Sequence, residues 1–404
     1  MNKVPEGWER KYLKNILSDG IKNGYSPNPA ETETGYWVLG LGALSDNGFN
    51  VAGIKPVHPA DKVLASKLSV DDFLISRSNT PDKVGRSIRF RGEVVNCSYP
   101  DLMMRFRINP NLANIDFIEH VLKAPLTRRY YKDSAAGSSS SMVKINKLTV
   151  EKTPLNLPCL AEQKKIAKIL STWDKAISTT EQLIVHSQQQ KKSLMKKLLT
   201  GTIRFKEFIE PWMQVKLSDV STMNSGGTPL SSVAKYYDGD IPWVSIADMT
   251  KHGKWISKTQ KNITTLGLEN STARLYPKYT ILYAMYASIG ECSIANTELA
   301  SSQAILGIQT AKELNYLYLY YYLSSLKEKI KLQGQQGTQA NLNAGMVKAF
   351  ELKLPPLTEQ QKIAQVLTTA DREIELLQQK LAGLKQEKQA LMQQLLTGKR
   401  RVVV

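Results

Sequence analysis

A run of polar and basic side chains follows an apolar strand in the first half of the chain. The strand belongs to DFLIS, which starts at Asp72. The candidate residues of the loop after it are Arg77, Ser78, Asn79, Lys83 and Arg86. Such side chains supply donors and acceptors for base edges and positive charge for phosphates, so we expect this loop to contact nucleic acid. The alternative for each single residue is a turn-former or a solvated surface position.

Two further basic residues, Arg105 and Arg107, alternate on a neighbouring run and join the same prediction. A matching but less basic set lies in the second half, where TILYAMYASIGECS from Thr280 again places an apolar strand before a small-residue loop. The candidate residues of this half are Thr228, Lys235, Tyr236, Tyr283, Tyr286, Ser288, Gln303, Thr338, Gln339 and Asn341. The recurrence of such loops at matching places in both halves favours a binding role over scattered surface polarity.

The charge of the chain points to the same class of partner. Its 404 residues include 54 Lys and Arg against 36 Asp and Glu, a formal net charge of +18. An excess of this size attracts polyanions, and nucleic acid is the default candidate; the alternative is an ordinary basic protein. The excess is spread over the whole chain and no basic tail accounts for it. Such a distribution fits a long binding face.

The motifs of common enzymes are absent from the sequence. It has no GxxxxGK[ST] loop for a nucleotide, no paired-histidine metal signature and no [DNS]PP[YFW] tetrapeptide of an amino-methyltransferase. The pairs Pro81–Asp82 and Pro100–Asp101 lack a suitably spaced [DE]xK, so a nuclease centre is unsupported. We expect a non-catalytic chain that holds neither a metal nor a cofactor. An enzyme with an unrecognised centre is the alternative.

Cysteine usage and hydropathy indicate the compartment. Cys97, Cys159 and Cys292 form no CxxC pair, which is typical of a reducing compartment, and we expect each to be a small buried side chain. No stretch approaches 18 uncharged apolar residues, and MNKVPEGWERKYL at the start has no apolar signal region. These features predict a cytoplasmic protein.

An internal repeat organises the chain. LPCLAEQKKIAKIL from Leu157 recurs as LPPLTEQQKIAQVL from Leu354, and without any gap both copies run on to LLTG. A looser repeat lies upstream, in GWERKYLKNI from Gly7 and PWMQVKLSDV from Pro211. The chain is therefore a duplication, with one half covering residues 1 to about 207 and the other about 208 to 404.

Within each repeated stretch, apolar positions alternate in steps of four and three, a heptad seam that predicts a long helix with a helical partner. Proline precedes and glycine follows each stretch, as at helix starts and ends. We expect two antiparallel coiled-coil helices of about 35 to 40 residues, each about 50 to 60 Å long. The first seam continues to Leu194 and Leu198. The residues predicted for the seam or for partner binding are Glu162, Gln163, Ile166, Leu170, Trp173, Ile177, Glu359, Gln360, Ile363, Leu367 and Ile374. Helices that merely fill a bundle core are the alternative.

The expected fold class is α+β. Two globular mixed α/β domains, residues 1–155 and 208–352, alternate with two helical spacers, residues 156–207 and 353–404. The spacers form the antiparallel pair and the whole is a pseudo-two-fold internal repeat.

This order of motifs resembles the DNA-specificity subunit of type I restriction–modification systems over essentially the whole chain. The second half carries the family's pattern in GGTP from Gly226, GDIPWVSIADM from Gly239, LYAMYASIGE from Leu282, SSQAI from Ser301 and GTQANL from Gly337. The first half departs from it, with GYSPNPA and SRSNTPDKVGR in place of GGTP and IPW, and is closer to another subgroup of these domains.

The resemblance implies a chain that binds a bipartite, asymmetric target in double-stranded DNA. Each recognition domain would read one half-site in the major groove, and the helices would act as a ruler for the spacer. Two methyltransferase subunits using S-adenosylmethionine to modify adenine, and two restriction subunits using ATP and Mg²⁺, would complete a system for phage defence. A stand-alone bipartite DNA-binding regulator and an interaction scaffold remain the alternatives.

Overall fold

The computed structural model describes residues 4–45, 48–139, 142–335 and 342–403. The chain divides into two compact units. Unit 1 comprises Met1–Glu181 with Gln379–Val404, and unit 2 comprises Gln182–Gln378. Each unit thus contains most of one half of the repeat together with a terminal stretch of the other.

Unit 1 is built from short strands and helices, followed by a long helix that continues into unit 2. Its strands are β1 (Glu9–Tyr12), β2 (Lys22–Asn23), β3 (Trp37–Leu39), β4 (Leu44–Ser45), β5 (Gly48–Phe49), β6 (Ile54–Pro56), β7 (Phe73–Ser76), β8 (Ser78–Asn79), β9 (Ser87–Arg89), β10 (Cys97–Ser98), β11 (Met103–Phe106), β12 (Ala136–Ser139), β13 (Met142–Lys144) and β14 (Pro154–Leu157). The helices are α1 (Asp61–Ala65), α2 (Ile115–Lys123), α3 (Pro125–Asp133), α4 (Lys147–Glu151) and the long α5 (Leu160–Leu199).

Unit 2 has longer strands, and its last helix continues into unit 1. Its strands are β15 (Met213–Lys216), β16 (Ser221–Ser225), β17 (Tyr237–Val244), β18 (Trp255–Ile256), β19 (Lys261–Ile263), β20 (Ile281–Ala284), β21 (Cys292–Ala295), β22 (Ala300–Ser301), β23 (Ile305–Thr310) and β24 (Glu351–Leu354). The helices are α6 (Ile246–His252), α7 (Thr265–Glu269), α8 (Tyr316–Gln335), α9 (Ala344–Lys348) and the long α10 (Leu357–Leu395).

The largest sheet of each unit has a middle strand that is apolar on both faces. In unit 1 the order is β2-β11-β7-β9, with all neighbours antiparallel and every residue of β7 buried. In unit 2 the order is β16-β23-β20-β21-β18, with every residue of β20 buried. A strand covered on both faces reads as a continuous apolar run, which is why both were visible in the sequence.

Each sheet shares its hydrophobic core with the ends of both long helices. In unit 1, Phe73 of β7 belongs to the cluster that contains Ile166 and Leu170 of α5 and Leu395 of α10. In unit 2, Tyr283 of β20 belongs to the cluster of Leu198, Ile363 and Leu367. The seam residues at the helix ends therefore bury their side chains in the α+β units as well as between helices.

The expected α+β fold with two long antiparallel helices is confirmed. α5 has 40 residues and α10 has 39, and the turns after them contain Gly201 and Gly398 at φ +72° and +68°. Within unit 1, Lys388 pairs with Asp174 and Lys385 with Glu181 at 2.7 Å. Along these pairs the residue number rises in α5 and falls in α10, so the two helical segments run antiparallel. In unit 2, the pairs Lys191–Asp371 and Ser187–Glu373 show the same direction.

Two expectations about single positions are wrong. Leu194, predicted on the seam, is 37% exposed, and its neighbour Met195 packs against the core of unit 2 instead. An ideal α-helix drifts relative to a strict heptad, which explains the shift by one residue. Cys159 is exposed, whereas Cys97 and Cys292 are buried as expected. Burial raises the pKa of the Cys97 thiol to about 12. Within the part of the chain that the structure describes, none of the helices combines the length and the hydropathy of a membrane span.

Candidate nucleic-acid interface and its framework

The glutamate of each repeated EQ pair is buried and receives two hydrogen bonds from one arginine. In unit 1, Arg401 donates from Nε and Nη2 to Glu162, both at 2.8 Å. In unit 2, Arg204 donates likewise to Glu359, at 3.0 and 2.8 Å. Each arginine lies three residues beyond the LLTG of the opposite long helix. We call these two ion pairs the arginine clasps. Paired donors to a carboxylate fix orientation as well as charge.

A tryptophan from the opening strand region supports each clasp. The Arg401 guanidinium lies 5.9 Å from the ring centre of Trp8, and that of Arg204 lies 5.6 Å from Trp212. Trp212 also donates from Nε1 to Glu359 at 2.9 Å. These tryptophans come from the looser upstream repeat, immediately before β1 and β15, and those strands pair with β14 and β24, which lead into the long helices. The weak upstream repeat therefore supports the clasps. We call the clasps, the two tryptophans and the strand pairs β1–β14 and β15–β24 the framework.

The glutamine of each EQ pair ties the start of a long helix to the cap of another helix. Gln163 accepts from the backbone N–H of Asn114 at 2.8 Å and donates to the Pro158 carbonyl at 2.9 Å. Gln360 accepts from Asn315 N–H at 2.8 Å. The side chains of Asn114 and Asn315 cap α2 and α8. These glutamates and glutamines are at most 2% exposed, so their burial disfavours direct contact with a partner.

The remaining predicted seam residues are placed as follows. Ile166, Leu170, Ile363 and Leu367 are buried, and Trp173, Ile177 and Ile374 are partly buried. An aspartate on each long helix, missed as a functional position by the sequence reasoning, adds a polar contact between the helices. Asp174 binds Lys388 and lies 3.8 Å from Nδ1 of His120 on α2. At the equivalent position in unit 2, Asp371 binds Lys191 and also Lys254 at 2.9 Å. Each aspartate thus links both helices to its own unit.

The candidate loop of unit 1 follows β7, but only part of it faces solvent. Lys83 is exposed, and Arg77, Asn79 and Arg86 are partly buried. Arg77 donates to the carbonyl of Asp101 at 3.4 Å, and Arg86 to the carbonyl of Leu44 at 3.3 Å. Ser78 is 1% exposed, which disfavours a direct contact with nucleic acid. Arg86, together with Lys123 and Arg128, also lines a small cavity of about 200 Å³.

Arg105 and Arg107 lie in an ion-pair network inside unit 1. Arg105 is 8% exposed and binds Asp72 at 2.8 Å and Asp19 at 2.9 Å. Arg107 binds the same Asp72 at 2.5 Å. Burial alone would lower the pKa of Arg105, but the hydrogen bonds and charges of Asp72 and Asp19 raise it overall, so the guanidinium stays charged. These two arginines neutralise a fully buried carboxylate, a role that disfavours base contact.

In unit 2, most of the candidates are at the surface. Thr228, Lys235, Tyr286 and Gln303 are exposed, and Tyr236 and Ser288 are partly buried. Tyr283 is fully buried in the core, which disfavours a role in binding. The three candidates Thr338, Gln339 and Asn341 lie outside the described residues.

A hydroxyl residue meets a polar residue at the same edge of both large sheets. Ser26 donates to Asp101 Oδ1 in unit 1, and Thr228 donates to Gln303 Oε1 in unit 2. In both pairs the partners are 75 residues apart, and all four residues are exposed. Ser26 and Asp101 were missed, although GYSP and GGTP share a glycine two residues before the hydroxyl residue and a proline directly after it. This shared glycine–hydroxyl–proline spacing is a signal in the sequence that could have found Ser26, whereas Asp101 is located by its hydrogen bond with Ser26.

Glycine makes this close approach possible in both units. Two residues before the hydroxyl, Gly24 and Gly226 lie against the backbone carbonyls of Tyr99 and Ser301, where any Cβ would clash. The backbone of Gly227 is in the same situation against Ala273. The next residue, Arg274, is exposed and adds a positive charge near this edge that the sequence reasoning also missed. The requirement for glycine at close backbone approach explains the GG of GGTP.

Two α+β units, each tied to both long helices by an arginine clasp and each presenting a polar sheet edge, define a duplicated α+β protein. The model of the type I restriction modification DNA specificity domain matches residues 88–186 and 209–386. The chain therefore belongs to the family of type I restriction–modification DNA-specificity proteins, whose members bind DNA through target-recognition domains.

The chain is also similar to an individual relative in sequence and to two solved structures in fold. The chain is 26% identical to the putative type I restriction enzyme MjaX specificity subunit of Methanocaldococcus jannaschii, over 100% of this chain and 96% of that protein. Its fold is similar to a chain solved in work on complex assembly and conformational transition of the type I R-M system, with a TM-score of 0.63 at 17% identity and with 99% and 100% of the two chains covered. The type I S subunit from M. genitalium gives a TM-score of 0.57 at 13% identity, covering 98% and 97%.

Proposed function

We propose that this chain is the non-catalytic specificity subunit of a type I restriction–modification complex and that it recognises a bipartite, asymmetric target in double-stranded DNA. One observation carries the proposal: the same framework occurs in both units, while the polar edge it supports differs between them. A repeated framework with different surface residues suits two half-sites of different sequence. Direct base contacts would supply specificity, and phosphate contacts would supply salt-dependent affinity.

The two long helices supply the rest of the proposal. Each helix contributes residues to both units, so the pair sets the spacer between half-sites. Exposed faces of the helices dock two methyltransferase subunits, which hold S-adenosylmethionine and act on adenine, and two restriction subunits supply ATP- and Mg²⁺-dependent cleavage. A methyltransferase must take its target base out of the stack, and in this proposal the bases around it are read by this chain.

Selection from a randomised duplex library tests the proposal. The full chain, co-purified with the methyltransferase subunit, is used at two salt concentrations. The expected result is two short specified blocks separated by an unspecified spacer of fixed length, with affinity that falls as salt rises. A single continuous motif points to a stand-alone regulator. Binding that does not depend on salt, or no binding at all, points to an interaction scaffold. Each of these three results contradicts the proposal.

A further inference from the structure

The hydroxyl–polar pairs at the two sheet edges are equivalent by three independent features. The partners are separated by 75 residues in both units, a glycine held against a carbonyl stands two residues before each hydroxyl, and the same oxygen-to-oxygen hydrogen bond closes each pair. The strand next to each pair also matches, since Arg77 N–H donates to Leu102 O and Met285 N–H donates to Ala304 O. Leu102 and Ala304 are the residues directly after Asp101 and Gln303.

The hydroxyl fixes one end of its partner and leaves the other end exposed. Ser26 both donates to Asp101 Oδ1 and accepts from the Asp101 backbone N–H at 3.3 Å, so the carboxylate is held in one orientation. Among the described residues, none forms a hydrogen bond with Asp101 Oδ2 or Gln303 Nε2. A side chain that is oriented in advance loses less conformational entropy when it binds. Unit 1 thus presents an acceptor, and unit 2 presents a donor beside an acceptor.

A carboxylate is a poor choice for a surface that only holds phosphates. Asp101 would repel the DNA backbone, whereas it can accept a hydrogen bond from an exocyclic amino group in the major groove, cytosine N4 or adenine N6. An amide such as Gln303 can pair with adenine N6 and N7 together. The two equivalent positions therefore have different chemistry for bases.

We infer that Asp101, held by Ser26, and Gln303, held by Thr228, each read one base in their own half-site, Asp101 an amino-bearing base and Gln303 an adenine. This inference rests on the proposed function and adds to it the residues that make the two half-sites different. Ser26 and Thr228 are positioning residues in this assignment.

The test compares selected target sequences for the wild type, Asp101→Asn and Gln303→Glu, each as the full chain with the methyltransferase subunit. Asp101→Asn is expected to reduce the preference at one base of one half-site by about 5- to 150-fold, the range of one good side-chain–base contact. Gln303→Glu is expected to do the same in the other half-site. Ser26→Ala is expected to weaken the preference at the Asp101 position and to leave the identity of the preferred base unchanged. Asp133→Asn, which removes an exposed carboxylate of α3, is the charge-matched control.

The outcomes separate this inference from the proposed function. If the wild type selects two blocks and Asp101→Asn selects the same blocks with the same preferences, the inference is overturned and the proposed function stands. A uniform change in affinity at all positions, or an equal effect of Asp133→Asn, also overturns it. If the wild type selects no bipartite motif, the proposed function itself fails. The thermal unfolding midpoint of each variant is measured as well. A midpoint equal to that of the wild type shows that a changed base preference arises in a folded chain.

Discussion

The charged residues of unit 1 fall into two groups. Some form buried ion pairs that stabilise the fold, and others are exposed to solvent and accessible to a ligand. Asp72 has no exposed surface, and Arg105 and Arg107 both bind it. Lys83, eleven positions along the chain from Asp72, is exposed. Residue type alone does not separate these roles, because arginine serves equally well for a buried carboxylate and for a phosphate. The structural arginines are distinguished by their contact with Asp72, which precedes β7, the strand paired with β11.

We predict that Arg105→Gln destabilises unit 1 by about 1 to 3 kcal/mol, because the buried Asp72 keeps Arg107 but loses its second charged hydrogen bond. Urea unfolding at pH 7 measures the loss, and hydrogen exchange assigns it to unit 1. Lys83→Gln is the matched control and is expected to change stability by less than about 0.5 kcal/mol. Equal stability of the two variants would contradict a structural role for Arg105.

His120 makes unit 1 sensitive to acid. Burial lowers its pKa to about 4, against the opposite effect of Asp174, and Lys388, Glu119 and Lys123 also face it. An unfolded chain protonates histidine near pH 6.5. Between these values the unfolded state binds more protons, so the free energy of unfolding falls as pH falls.

We predict a loss of about 2 kcal/mol between pH 7 and pH 5 from this one residue. Urea unfolding of His120→Gln, which does not titrate, is expected to show a shallower pH dependence than the wild type. His252→Gln, at an exposed position, is the control. If the free energy of unfolding depends on pH in the same way in the wild type and in His120→Gln, His120 is not the source of the acid sensitivity.

At the scale of elements, the arginine clasps join the start of one long helix to the segment after the other. The sequence was sufficient to predict both helices, because prolines before them and glycines after them set the bounds and the heptad spacing set the seam. The clasps could not be predicted. Glu162 and Arg401 are 239 residues apart, and the repeat places glutamate and arginine in each copy without showing that they bind across copies.

We predict that Arg401→Gln loosens unit 1 and that Arg204→Gln loosens unit 2, because each leaves a buried glutamate without its paired donors. Hydrogen exchange of the full chain is expected to show faster exchange near β1, β14 and the start of α5 in the first variant. The corresponding region in the second variant is β15, β24 and the start of α10. Lys399→Gln, a nearby exposed position, is the control. Faster exchange spread evenly over both units would contradict the local role of each clasp.

At the scale of the whole molecule, the repeat explains why one part of the site was predictable and another was not. The second half carries GGTP and SSQAI, so Thr228 and Gln303 were selected from the sequence. The first half builds the same pair from Ser26 and Asp101, where GYSP keeps only the glycine and the proline of GGTP and SYPDL stands in place of SSQAI. Hydrogen-bond geometry was kept between the units while residue identity changed. A search for the complete motifs therefore finds one half of the site, whereas the shared glycine–hydroxyl–proline spacing also points to Ser26.

We predict that lengthening both long helices changes the spacer and leaves both half-sites intact. Seven residues inserted after Thr180 and seven after Leu381 keep the heptad seam in register and add about 10 Å of helix, or about three base pairs of B-DNA. Selected targets are expected to show the same two blocks with a longer spacer. Altered blocks, or an unchanged spacer, would contradict the role of the helices as a ruler.

The clasp between Glu162 and Arg401 also has a consequence for synthesis on the ribosome. Domains usually fold in the order in which they emerge. Unit 2 consists of one continuous segment, Gln182–Gln378, and can close as soon as that segment has been translated. Unit 1 starts first but needs the stretch from Gln379 onward, including Arg401, to complete its core and its clasp. We therefore expect the unit that is translated first to finish folding last, and the nascent chain to expose the apolar start of α5 during that interval.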